Sequence, residues 1–475
     1  LGVYVVYNWC LHPLSSVPGP LVARLGFPFW FSWQAWKRNC GPALKALHDL
    51  YGDTVRVGPN SVSTIDLDAV RTIYAHGSQY KKSNIYSAYR KQGPVPNIFS
   101  QRDVSIHNEQ RRELAPVFNK ASIVKLEEYI EPCITMLTDQ LDRILQQTPR
   151  PTSPVNLSSW LHFFTMDAIG EIAFGQDFSL LRDGTDTNGL LAGTATGLRL
   201  TSIASTLPWP YPFSSMPKSL LFMLMSLFAK HSSLVVFKKS AEIVYKRYNP
   251  AQNITHRKEE VREDMIGQFM KLRYKSTGEK WSRDHVQIET LNLMAAGPDS
   301  TAAALSVFFH NILTSPRVYD QLQAEIDTAV EDGLQFPVTY AQASKLEYLQ
   351  ACVKESLRVL PITGMILDRV VPEASDGLIV KIGKSSYDSP SERMVRLPEG
   401  INVGACPFVF QRSKSIFGED AEVFRPERWL EASPEELTAL ERWIITWGLG
   451  SRTCLGKGIA EMAISKVLPT LLWRY

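Results

Sequence analysis

Apolar side chains recur at three- and four-residue spacing over residues 120–147, 219–247, 284–314, 317–332 and 341–359. Positions so spaced share one face of a helix, so each window predicts an amphipathic or buried helix. Strand-like alternation is confined to three short runs: "DTVRVGPNSVSTID" near the start, "GLIVKIG", and "MVRLPEGINVGACPF" with its Pro-Glu-Gly turn. Ser, Asp and Pro crowd residues 383–392, which reads as a surface loop between the last two strands. The run "SLLFMLMSLFA", Ser219 to Ala229, is apolar on every face but too short to cross a bilayer. It reads as a buried helix in preference to one dipping into a membrane surface. No internal repeat is visible, and the pattern predicts a mainly α protein with small β-sheets.

Composition narrows this little. At 475 residues, 44% apolar and 21% charged, the chain can bury a large core. A net charge of +3 without runs of like charge argues against nucleic acid as a partner. Cys10, Cys40, Cys133, Cys352, Cys406 and Cys454 are far apart and form no CxxC pair, so neither a disulfide framework nor a zinc site fits. Sequons at Asn156 and Asn253 carry little weight. The opening "LGVYVVYNWCLHPLSSVPGP" starts with leucine and runs apolar into a proline-rich stretch. Residues 1–20 are therefore expected to be the tail of a membrane anchor followed by a stiff hinge.

The chemistry gathers at "WGLGSRTCLG", Trp447 to Gly456. A dinucleotide loop fails because Thr453 stands where the third glycine belongs, and a phosphate loop fails on spacing, with Gly458 after Lys457. A cysteine nucleophile needs a base, and the nearest histidine in sequence is His310, so that reading depends on spatial proximity alone. A merely structural cysteine leaves the glycines at 448, 450, 456 and 458 unexplained. A metal-bound thiolate accounts for more. Glycines let the loop approach a flat cofactor, Arg452 offers a fixed cation to a carboxylate, and the apolar run after Gly456 places Cys454 at a helix N-terminus that favours an anion. A thiolate ligand to haem iron meets these demands together.

The loop resembles the haem-binding FxxGxRxCxG segment of the cytochrome P450 monooxygenases, matching at Gly450, Arg452, Cys454 and Gly456, with Trp447 in place of phenylalanine. Four such matches arise by chance on the order of 10⁻³ times in a chain of this length. Other segments follow in the family's order. "KESLR" sets Glu355 and Arg358 on one helix face, and "FRPERW" supplies Arg428, which the resemblance joins to them in a buried structural triad. "AAGPDSTAA" resembles the oxygen-activation segment, with Asp299 as the acid, Ser300 replacing the usual threonine and Thr301 following. Pro298 inside that helix would free the carbonyl of Met294 and open a local groove. "HNEQRRELAPVF" resembles the WxxxR helix in the form common among fungal members of the pisatin demethylase-like microsomal type, so His107, Arg111, Arg369 and Arg452 are implied to meet the haem propionates.

The resemblance implies a single large catalytic domain over 21–475, from whose end the family's closing C-terminal strands are missing. It further implies haem b ligated by Cys454, O–O cleavage with protons delivered by Asp299 and Ser300 or Thr301, and oxygen insertion into an apolar small molecule in secondary metabolism. With no flavin or nicotinamide motif, electrons must come from a separate NADPH reductase docking on the Cys454 face, at an endoplasmic reticulum membrane surface with the domain facing the cytosol. Pocket walls are expected from 83–106, 200–225 and 286–301. The alternatives are a haem-thiolate isomerase or dehydratase, which needs no reductase, and a non-catalytic haem-binding remnant.

Overall fold

The computed structural model describes residues 2–27, 29–90, 96–147, 155–206, 234–249, 264–373, 375–383 and 393–475. The run Ser219–Ala229, the sequon at Asn253, most of the 383–392 loop and the 207–225 part of the expected pocket wall lie outside these residues. The elements used below are α1 (Gly2–Val6), α2 (Phe29–Trp36), α3 (Cys40–Tyr51), β1 (Thr54–Gly58), β2 (Ser61–Thr64), α4 (Leu67–Tyr74), α5 (Val104–Leu114), α6 (Glu131–Gln147), α7 (Leu157–Ile169), α8 (Leu190–Thr206), α9 (Leu234–Tyr248), α10 (Arg283–Leu313), α11 (Pro316–Glu331), α12 (Glu347–Val359), β3 (Arg369–Val370), β4 (Leu378–Ile382), β5 (Arg393–Leu397), β6 (Asn402–Gly404) and α13 (Lys457–Arg474).

The longest element is α10, 31 residues opened by a Ser282 side-chain cap on the His285 amide. At 1.5 Å per residue it crosses the molecule over about 46 Å. It packs along α7, α9, α12 and α13, and residues from all of them share one large apolar core. The helix does not break at Gly-Pro: it runs unbroken through Pro298, which is buried within it.

Two other windows are shorter than their periodicity predicts. The 120–147 pattern divides into Lys120–Val124, a single turn at Glu127–Tyr129, and α6, because Pro132 fits only the first turn of a new helix. The 341–359 pattern divides into Tyr340–Ala343 and α12. Here Glu325 on α11 reaches across to take the Tyr348 amide at 2.7 Å and the Leu349 amide at 2.9 Å, satisfying the first donors of α12 from another element.

The strands form a four-stranded sheet in the order β1-β2-β6-β3 and a separate β4-β5 hairpin. β2 runs parallel to β6 in the register Val62 opposite Val403, while the other neighbours are antiparallel. β3 was not legible as a strand, being two residues long. Arg56 of β1 is fully buried and donates to the carbonyls of Asn8, Gly58 and Pro59 and to Asn8 Oδ1. The N-terminal segment is thereby clamped onto the sheet. No helix among the described residues is long and apolar enough to cross a membrane.

Candidate active site

A cavity of about 380 Å³ lies between the middle of α10, α5, α7 and the segment from Trp447 into the first turns of α13. Glu289, Asn292, Leu293, Ala296, Gly297, Ser300, Thr301 and Ala304 line it from α10, a stripe at three- and four-residue spacing along one face. Phe164, Thr165, Ala168 and Ile169 come from α7, and Tyr86, Ile98 and Phe99 from the expected 83–106 wall. None of residues 200–206, the described part of the 200–225 wall, lines it.

Cys454 faces this cavity from the opposite side to α10. Its exposure is exposure to the cavity, for protein surrounds it elsewhere. The loop that carries it is tied internally: the Cys454 amide donates to Trp447 O at 2.7 Å and Thr453 Oγ1 to Gly450 O at 2.8 Å, while Arg111 donates to Thr453 O at 2.7 Å. Burial raises the thiol's pKa, and hydrogen bonds from the Gly456 and Lys457 amides at the start of α13, with nearby Arg111, pull the other way. The helix N-terminus is thus present as expected, but in the protein alone it is outweighed by burial.

The glycines divide by role. Gly448 and Gly456 line the cavity; Gly450 does not. Gly450 has a φ of +59°, and a Cβ there would lie 2.2 Å from the carbonyl oxygen of Tyr74. The expectation that Gly450 lets the loop approach a cofactor is corrected: it lets the loop pack on the end of α4.

Five cationic or basic side chains converge on the cavity. Lys82, His107 and Arg369 are buried, and Arg111 and Arg452 are half-buried. Arg452 Nη1 donates to Gln101 O at 2.7 Å, Lys82 Nζ to Phe99 O at 2.6 Å, and Arg369 Nη1 to Asp368 O at 3.0 Å. Among the described residues none of the five forms an ion pair; their hydrogen-bond partners are chiefly backbone carbonyls. Burial, followed by Arg452, pushes His107 down to about 3, and burial, followed by Arg369, pushes Arg452 down to about 10. Burial also lowers Lys82, with Arg369 and Arg452 adding to it. Sequence reasoning missed Lys82. Asp368, beside this group, has its carboxyl pushed up to about 7 by burial against the pull of Arg369.

The oxygen-activation residues separate. Ser300 and Thr301 line the cavity, Ser300 Oγ donating to Ala296 O at 2.7 Å. Asp299 does not line it. Its Oδ1 lies 3.3 Å from His162 Nε2 on α7. The triad forms away from the cavity: Glu355 takes Arg358 Nη2 at 2.7 Å, Arg358 Nε at 2.8 Å and Arg428 Nε at 2.9 Å, with all three side chains buried. Trp429 Nε1 adds a fourth donor at 2.9 Å.

The buried guanidinium of Arg369 and the half-buried ones of Arg111 and Arg452 form no ion pair among the described residues and call for an anionic partner. A flat ligand bearing carboxylates at one edge and a thiolate-binding metal at its centre satisfies both this cluster and Cys454. No group of three or more His, Cys, Asp or Glu side chains able to hold a metal occurs among the described residues. The cavity therefore fits haem. A family model for cytochrome P450 matches residues 20–475.

The chain belongs to the cytochrome P450 family.

Its mainly α architecture with small sheets is the P450 fold, and the family carries haem with a thiolate-ligated iron. Among similar P450 proteins, "Cytochrome P450 monooxygenase mpaDE" of Penicillium roqueforti is 32% identical over 99% of this chain and 53% of its own length. "Cytochrome P450 monooxygenase cicH" of Emericella nidulans is 30% identical over 97% of this chain and 88% of its own. "Cytochrome P450 monooxygenase gsfF" of Penicillium aethiopicum is 29% identical over 99% and 90%. The chain thus spans about half the length of the mpaDE relative and most of the other two.

Proposed function

We propose that the protein is a haem-dependent monooxygenase that inserts one atom of O2 into an apolar small molecule, in the secondary metabolism of a fungus, with electrons from a separate NADPH reductase. The relatives named as P450 monooxygenases support the reaction class. The observation that carries it is the cavity itself: Cys454 on one wall, the hydroxyls of Ser300 and Thr301 on the facing helix, and a cationic edge between them.

In this reading Cys454 ligates the iron of haem b, and His107, Arg111, Arg369, Arg452 and Lys82 hold its propionates. When bound, the haem supplies reductive activation of O2, favoured by electron donation from the thiolate. Gly456 keeps the approach to Cys454 open. Ser300 and Thr301 hold hydroxyl protons at the cavity wall. Serine keeps the donor of the usual threonine without the methyl that restricts its rotamers, so coupling of electrons to product is looser. The apolar side chains of α7 and α10 exclude water around the substrate, and Glu355, Arg358 and Arg428 fix the region packed behind the Cys454 loop.

The reductase is expected on the Cys454 face, where Lys457 is exposed. We read the N-terminal residues as a membrane-proximal segment packed on the catalytic domain through Arg56, Leu14 and Val17, not hinged to it, with that domain at the cytosolic surface of the endoplasmic reticulum. Support comes from an apolar stripe on α2: Phe29, Trp33 and Trp36 recur on one helix face and are 59%, 54% and 54% exposed. The decisive measurement is the reduced carbon monoxide difference spectrum of the purified protein beside Cys454→Ala. A long-wavelength Soret band lost in the variant is expected; its absence from folded wild-type protein overturns the reading.

A further inference from the structure

His162 and Asp299 are 137 residues apart in sequence and meet across the most extensive helix contact among the described residues, α7 against α10. His162 Nδ1 sits 2.7 Å from the Ser158 carbonyl oxygen, one turn earlier on α7. A carbonyl only accepts, so Nδ1 carries a proton. Nε2 faces Asp299 Oδ1 at 3.3 Å, and an ionised carboxylate also only accepts. Both ring nitrogens therefore face acceptors, and the site is built for the imidazolium. Asp299 is the one charged group among the described residues that acts on His162; the other neighbours are Ser158 and, through it, Ser306 of α10. The side chains are 28% and 31% exposed, so water reaches the pair. Asp299 precedes the cavity-lining Ser300 and Thr301 in the chain.

We propose that His162 is the positioning residue and proton source for Asp299, carrying protons from bulk water to the acid behind Ser300 and Thr301. This rests on the monooxygenase reading, in which the reaction consumes protons at the cavity. In each transfer the Nε2–H bond of the imidazolium breaks as an O–H bond forms on Asp299. Once Asp299 has given its proton up, water reprotonates the neutral imidazole at Nε2, while Nδ1 keeps its proton on the Ser158 carbonyl. The direction of the His162 pKa, raised first by its contact with Asp299, accords with this. A lone helix staple would need the same contact but no proton exchange.

The test has two arms. In the full chain labelled at histidine Cε1, the imidazole resonance removed by His162→Gln should titrate above the ordinary histidine value and shift down by about a pH unit in Asp299→Asn, since a neutral amide no longer holds the cation. An unchanged titration in Asp299→Asn overturns the pair. In holoprotein with a P450 reductase and no substrate, NADPH oxidation should decline as pH rises through the His162 titration. His162→Gln should lower the rate at pH 6 by roughly tenfold, less than the roughly 10²–10⁴ of a direct general acid because water takes over in part. His162→Lys should restore the rate with the decline moved to higher pH. The same pH limb persisting in His162→Gln overturns the relay and leaves a structural staple. A wild-type chain without the thiolate spectrum or NADPH oxidation overturns the functional reading instead, and the relay with it.

Discussion

Glu355 is fully buried and accepts from Arg358, Arg428, Trp429 and the Arg425 amide, so it faces two buried guanidinium groups at once, Arg428 also meeting Asp420. Removing one partner of such a group leaves an uncompensated buried charge, which costs about 3–5 kcal/mol. Glu355→Gln is expected to lose stability in that range by urea unfolding and to shed haem on purification. A loss below about 1 kcal/mol would mean that the surrounding carbonyls suffice for both arginines. The glycines of the Cys454 loop give a sharper contrast. Gly450→Ala places a methyl group 2.2 Å from Tyr74 O at a positive φ, whereas at Gly456 the nearest such neighbour is Cys454 Sγ at 4.0 Å with φ −77°. Gly450→Ala should therefore unfold at markedly lower denaturant than Gly456→Ala, which should melt close to the wild type; equal losses would refute the packing role of Gly450. Cys454, Glu355 and Arg358 were legible because their spacing along the chain is itself the geometry. Lys82 and the turn of Asp299 toward His162 were not, since both depend on partners brought close only by the tertiary fold. Gly450 was legible as a residue but not in its role, which needed the position of Tyr74.

Helices were read best where one apolar face runs against a continuous core, as in α10 and α11, and worst where a helix begins on groups from elsewhere. The cap that Glu325 provides to α12 leaves no local mark at residue 346, and the periodicity carries across the break. Elements are also joined by neutral histidines. His48 on α3 bonds Gly52 O at 2.9 Å and Ser63 Oγ of β2 at 2.8 Å, and burial pushes it down to about 4. His285 in the first turn of α10 stacks on Trp281 with ring centroids 3.8 Å apart and is likewise pushed down to about 4 by burial. Both folded values lie below the ordinary 6.5, so the unfolded chain binds more protons between about pH 4 and 6.5. Their contribution is present above 6.5 and is lost as pH falls toward 4, at about 1.4 kcal/mol per pH unit for each histidine. Buried His107 adds the same trend, so unfolding midpoints should drop steeply over this range, and His48→Gln should remove about a third of the histidine slope. His162 opposes the trend with the reverse sign, its raised value adding stability below 6.5 that is lost as pH rises through the folded value.

At the scale of the whole molecule, the catalytic groups and the exposed apolar surface sit in different parts of the chain, and the buried Arg56 links the sheet to the latter. By bonding Asn8 and Leu14 it holds the N-terminal segment against β1, while Tyr4 donates to Gly26 O at 2.8 Å beside it. Val3, Val6, Leu21, Phe29, Trp33 and Trp36 are all more than half exposed, and Lys37 and Arg24 lie over the Trp33 and Trp9 rings at 4.8 and 4.1 Å. An α-helix in a soluble protein usually turns such a stripe inward; α2 turns Phe29, Trp33 and Trp36 outward, with cations beside them suited to anionic headgroups. Because the segment is clamped, a membrane that takes up this patch also fixes the tilt of the cavity relative to its surface. The protein is expected to bind vesicles containing anionic lipid, and Trp33→Ser with Trp36→Ser to weaken that binding by at least tenfold, about 1.4 kcal/mol, without changing the carbon monoxide spectrum. Vesicle binding unchanged by the double tryptophan replacement would move the membrane contact away from α2.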